Sequence, residues 1–106
     1  MQTGAGPLRR DAMSRRAEAL CEELKEVAAR LGVQVREEIL LREVGYRVRS
    51  GACRVRGDDV VFLDRNLPAD ERVQVLVDAL AGRDVEAVYL TPAARRLLER
   101  RARAAG

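Results

Sequence analysis

The sequence predicts an α+β fold, and three observations carry the prediction. An apolar stripe steps by three and four residues from Met13 to Leu31, the period drops to two directly after Gly32, and helical spacing returns after Pro68 and again after Pro92. The expected order is α-β-β-β-α-(β)-α: a small, three-stranded, mainly antiparallel sheet with helices packed on it. Residues 1–10 read as a flexible N-terminal tail, being glycine-rich and without periodicity, and residues 11–106 as a single domain.

The first helix is set by Met13, Ala17, Leu20, Leu24, Val27 and Leu31, widened by Cys21 and Ala28, with Glu22, Glu23, Lys25 and Glu26 opposite. Asp11 or Ser14 is placed to cap its start and Gly32 to occupy the left-handed position past its end. Val33, Val35, Glu37, Ile39 and Leu41 then alternate with polar neighbours as a strand would. The run Ala52–Arg56, a turn at Gly57-Asp58-Asp59 and the run Val60–Leu63 predict a hairpin. Alternation sends Cys53 and Val55 to the core and Arg54 and Arg56 outward. Val60–Leu63 is apolar on both faces, which suits a central strand or an interface. Pro68, Asp70 and Glu71 open a second helix with Val73, Leu76, Val77 and Leu80 inside and Gly82 at its end. Residues 83–90 suit either a short strand or an extended connector. Thr91-Pro92 caps and starts a third helix whose apolar side is Ala94, Leu97 and Leu98.

Composition narrows the chemistry. The chain has 106 residues, 47% apolar but only 3% aromatic, so Leu, Val and Ala must build the core. Its formal charge of +3 is concentrated at the ends: both termini are arginine-rich and the body between them is acidic. Lys25 is the single lysine. Two cysteines make no disulfide framework, and no apolar stretch approaches the ~20 residues of a membrane span, so a reducing cytoplasm and no membrane are expected.

There is no histidine, which removes the commonest general base and the Ser–His and Cys–His nucleophile pairs. Ser14 suits a helix start and Ser50 a turn. Cys21 and Cys53 cannot hold zinc alone and are expected as small buried residues. Asp58, Asp59 and Asp64 lack the spacing of a calcium loop and suit turns. Neither a cofactor nor a metal nor a catalytic residue is expected.

The segment Ser50–Gly57, followed by Phe62-Leu63-Asp64, Leu67-Pro68, Glu71-Arg72 and Ala79-Leu80, resembles a family of short bacterial proteins to which no activity is assigned. The likeness covers residues 17–100 and implies no activity. The hairpin-then-helix order is also similar to the front half of ImmA/IrrE-like metallopeptidases, where the helix bears H-E-x-x-H. Here the two ligand positions fall on Asp78 and Gly82 and the glutamate position on Ala79, so the resemblance implies the scaffold without its zinc site.

The expected function is a non-enzymatic protein-interaction module, pairing with itself or with another protein, with Val60, Phe62, Leu97 and Leu98 as interface candidates. The alternative is nucleic-acid binding. Arg47, Arg49, Arg54 and Arg56 fall in a stretch without acids, and Arg95, Arg96 and Arg100 line the last helix, so these are the candidate phosphate contacts.

Overall fold

The computed structural model describes residues 5–39 and 51–105, with side chains for 12–39 and 51–104. In chain order the elements are α1 (Ala5–Arg30), β1 (Gln34–Glu38), β2 (Gly51–Val55), β3 (Asp58–Asp64), α2 (Ala69–Leu80) and α3 (Pro92–Ala105). The fold is α+β, as expected, and residues 83–90 form a connector instead of a further strand.

α1 starts earlier than its apolar stripe. The helix runs from Ala5, so the segment expected as a tail is helical from that residue onward, and Asp11 and Ser14 lie inside it instead of capping it. Pro7 sits in the first turn, where its missing N–H forfeits no helical bond, and Leu8, Arg9 and Arg10 are good helix formers. The far end is as expected. Gly32 adopts φ 77°, and Val33 N–H donates to Ala28 O at 2.8 Å while Gly32 N–H donates to Ala29 O at 3.1 Å. These paired bonds satisfy carbonyls that the helix leaves orphaned.

β3 is the central strand. It pairs parallel with β1 (Gln34 opposite Val60, Glu38 opposite Asp64) and antiparallel with β2 (Gly51 opposite Phe62, Val55 opposite Asp58). The sheet is therefore mixed, with one pair of each kind, where a mainly antiparallel sheet was expected. The hairpin turns on Arg56 and Gly57, both at positive φ (52° and 87°), one residue earlier than the Gly57-Asp58-Asp59 turn of the sequence reading. Such a two-residue turn matches the right-handed twist of the flanking strands.

That turn decides which side chains share a face. Val61 and Leu63 are fully buried in the core with Leu24, Val27, Leu76, Val77 and Leu80. Cross-strand pairing then puts Cys53 and Val55 on the opposite face, with Val60 and Phe62. Both were expected to point inward; both are exposed, Val55 at 39%. Arg54 lies on the helix side, where it was expected to point away.

α1 and α2 cover the Val61/Leu63 face, and α3 packs on α1 and α2 without reaching a strand among the described residues. Met13, expected in the buried stripe, is 66% exposed, because α1 outruns α2 at that end. Each fully buried Leu or Val contributes roughly 1.5–3 kcal/mol relative to exposure.

Candidate functional site

Several charged side chains link elements around the apolar core. Arg72 on α2 donates to Glu18 on α1 (Nη2 to Oε1, 2.6 Å) and to the Leu67 carbonyl ahead of α2 (Nε, 3.1 Å). Lys25 bridges Glu22 (2.7 Å) and Glu37 on β1 (3.1 Å), joining α1 to the sheet. Burial works against the Lys25 charge, but these two carboxylates outweigh it and raise its pKa above the ordinary lysine value. Arg83 donates to the Ala79 carbonyl at the end of α2 and to Asp59 on β3, each at 3.1 Å. Arg101 holds Asp78 at 2.6 Å, fastening α3 to α2. Among the described residues no buried side-chain nitrogen or oxygen lacks a hydrogen-bond partner.

The two cysteines part company. Cys21 is fully buried, and burial pushes its thiol pKa up, opposed in part by Arg72 and Lys25. The Arg72 Nη1 lies 3.9 Å from Sγ, yet the thiol has no access to solvent. A neutral, enclosed thiol is a poor nucleophile. Cys53, expected to be buried, is exposed on β2.

The start of α3 is held across the fold. Thr91 N–H and Oγ1 both donate to the Glu23 carboxylate at 2.8 Å, and Thr91 Oγ1 accepts from Ala94 N–H at 3.3 Å, so Thr91 caps the helix as its sequence suggests. Beside this clasp, between α1 and residues 88–91, lies an open groove of about 250 Å³. Val27 and Val88, both buried, form its floor; Glu26, Arg30 and Tyr89 rim it, and Glu23 and Thr91 close one end. Tyr89 is 82% exposed, the most exposed large apolar side chain described. Val88 and Leu90 point inward on either side of it, so alternation along the connector expels the ring.

The residues singled out from sequence are scattered. Arg47 and Arg49 lie outside the described residues. Arg54 is exposed but occupied: Nη2 donates to the Gly57 carbonyl at 3.1 Å, and Nε approaches Asp59 at 3.7 Å. Arg56 lies in the hairpin turn with its side chain exposed, away from the arginines of the last helix. Arg95, Arg96 and Arg100 are exposed together on α3. Of the interface candidates, Leu98 is core and Leu97 packs against it, since their side of α3 faces the other helices. Val60 is buried and Phe62 half-buried on the second sheet face, with the Arg36 guanidinium 5.8 Å from the Phe62 ring centre. No candidate had pointed to Tyr89; the Val-Tyr-Leu alternation was the available signal.

At the positions the metallopeptidase resemblance assigns to ligands, Asp78 is ion-paired with Arg101 and Gly82 leaves the helix at φ 85°. Among the described residues no group of three His, Cys, Asp or Glu side chains is placed to hold a metal ion, and no helix is long and apolar enough to cross a membrane. No protein-family model matches the chain, and the comparisons with curated proteins and with solved structures found no match.

Proposed function

We propose that this chain is a non-enzymatic, self-associating interaction module, and that the α1 groove beside Tyr89 receives a second copy. The observation that supports it is the exposure of Tyr89 next to an apolar floor with a mixed-charge rim. Tyr and Arg are the residue types that anchor interfaces, and a buried apolar centre within a polar border is the usual anatomy. The rim is also self-complementary. Glu26 and Arg30 stand one turn apart on α1, and neither takes part in an ion pair among the described residues. Two α1 helices meeting antiparallel about a two-fold axis set Glu26 of each copy against Arg30 of the other. The unpaired thiols Cys21 and Cys53 suit a reducing cytoplasm as the place of work.

Light scattering across a dilution series tests this. Wild type is expected at about twice 11.8 kDa at tens of micromolar. Tyr89→Ala returns the mass to that of a single chain. Glu26→Arg and Arg30→Glu each weaken the pairing, and the double exchange restores it. A single-chain mass for wild type at every concentration overturns the proposal.

A further inference from the structure

We infer that the outer ridge of α3 docks on the phosphate backbone of duplex nucleic acid, without reading its sequence. Ala94 and Leu98 face inward and Arg101 is bound to Asp78, which fixes how the helix is rotated. At 100° per residue, Arg96, Arg100 and Arg103 then fall on one line directed away from the fold, spanning roughly 10 Å. All three are exposed, as is Arg95 beside them, and Glu99 is the one acid on that side. None of these four arginines takes part in an ion pair among the described residues, although Arg101 on the same helix does. The lack of partners therefore belongs to the face, not to the helix.

Helix stability accounts for the ridge only in part: Glu99 stands i,i+4 to Arg95 and Arg103, but not to Arg96 or Arg100. Arg96 and Arg100 are like charges at i,i+4, which costs an isolated helix a few tenths of a kcal/mol. Arg95 and Arg96 lie toward the helix start, where the backbone dipole disfavours cations, and only Arg103 sits in the last turn, where it is favoured. Nor do the molecule's own acids supply the counter-charge. Of the acidic line Glu18, Glu22 and Glu26 on α1, Glu18 is taken by Arg72 and Glu22 by Lys25, and Glu26 lies at the rim of the Tyr89 groove with no ion pair to an α3 arginine.

The type of polyanion follows from what else the face carries. Its exposed apolar residues are Pro92, Ala93, Ala102 and Ala104, all small, so it offers no large anchor for the centre of a protein interface and no long apolar side chain to bury in a lipid surface. It has no aromatic ring on which unpaired bases would stack, which favours a duplex over a single strand. Guanidinium groups match phosphate oxygens bidentately. A 14-residue helix is about 21 Å long and slim enough to lie along a groove about 12 Å wide. This ridge is distinct from the Tyr89 groove, and its docking stands whether or not two copies pair.

Fluorescence anisotropy with a labelled random-sequence DNA duplex of about 20 base pairs, titrated between about 20 and 200 mM salt, tests the inference. Wild type is expected to bind at low salt with a log–log salt slope of about −2.7 to −3.6, about 0.9 for each phosphate met by the three ridge arginines alone or with Arg95. The variant Arg96→Gln/Arg100→Gln/Arg103→Gln should bind at least about tenfold more weakly and lose about 2.7 from the slope. A variant with the same charge loss elsewhere, Arg15→Gln/Arg16→Gln/Arg65→Gln, should lose about threefold or less. Circular dichroism melts of both variants must match wild type. Absence of binding at the lowest salt, equal losses in the two variants, or binding to phosphatidylserine vesicles but not to the duplex would each overturn it.

Discussion

β3 is apolar on both sides, but its two faces live in different surroundings. Val61 and Leu63 are enclosed by α1 and α2, whereas Val60 and Phe62 share the opposite face with Cys53, Val55 and the Arg36 guanidinium. The first face is sealed by Leu and Val side chains from two helices. The second mixes buried, half-buried and exposed positions within a few residues. Hydrophobic sequence alone thus does not say which side of a strand holds the fold; the register fixed by the neighbouring turn does.

The largest expected effect tests that contrast directly. Leu63→Ala should cost about 2–5 kcal/mol in urea denaturation, as large-to-small changes in closed cores do, and Phe62→Ala less than half as much despite its bigger side chain. Equal losses would mean the two faces are equally sealed. The cysteines repeat the contrast on a smaller scale. Cys21→Ser should cost about 1–3 kcal/mol by burying a hydroxyl, and Cys53→Ser should stay within about 0.5 kcal/mol. A thiol reagent should modify Cys53 in the native protein and Cys21 only after denaturant is added. Rapid native labelling of both thiols would break the comparison.

Alkaline pH gives a finer measure of the sealed side. Burial raises the Cys21 thiol above its ordinary value of 9.0, and hydrogen bonds from Lys25 to Glu22 and Glu37 raise that lysine above 10.5. In both cases the unfolded chain releases its proton first, so the stabilisation is whole below the unfolded value and is lost as pH climbs toward the folded one. Stability should therefore begin to fall above about pH 9, and in Cys21→Ala the decline should start later, where Lys25 titrates. Identical curves for the two proteins would rule out burial of the thiol. The smallest effect belongs to the turn. Arg56 occupies left-handed backbone at φ 52°, so Arg56→Gly should stabilise the hairpin by about 1 kcal/mol or less.

Much of the architecture was legible in the residues. The period-3.6 stripes of α1 and α2, the glycine after α1 and the Thr-Pro start of α3 are local signals, and local rules fix them. The faces of β2 were not legible, because moving the turn from Gly57-Asp58-Asp59 to Arg56-Gly57 shifts the pairing and reverses every side chain. The parallel β1–β3 pairing joins segments distant in sequence and leaves no local mark. The arginines of α3 were visible as a basic run, but only its packing separates Arg101, which is bound, from Arg96, Arg100 and Arg103, which are not. Tyr89 lay in a segment whose form the sequence left open.

The clasp between Glu23 and Thr91 has a mechanical consequence. It grips α3 at its capping residue, Thr91, while farther along the helix is tethered by Arg101 to a half-exposed Asp78. A rod bolted at one end and tied loosely near the other peels from its free tip. Backbone amide exchange along α3 should accordingly quicken from Ala94 toward Ala104, while the amides beside the bolt stay slow. Any load applied through the distal arginines is then delivered to α1 at Glu23, about two turns from the C-terminal end of the longest described helix.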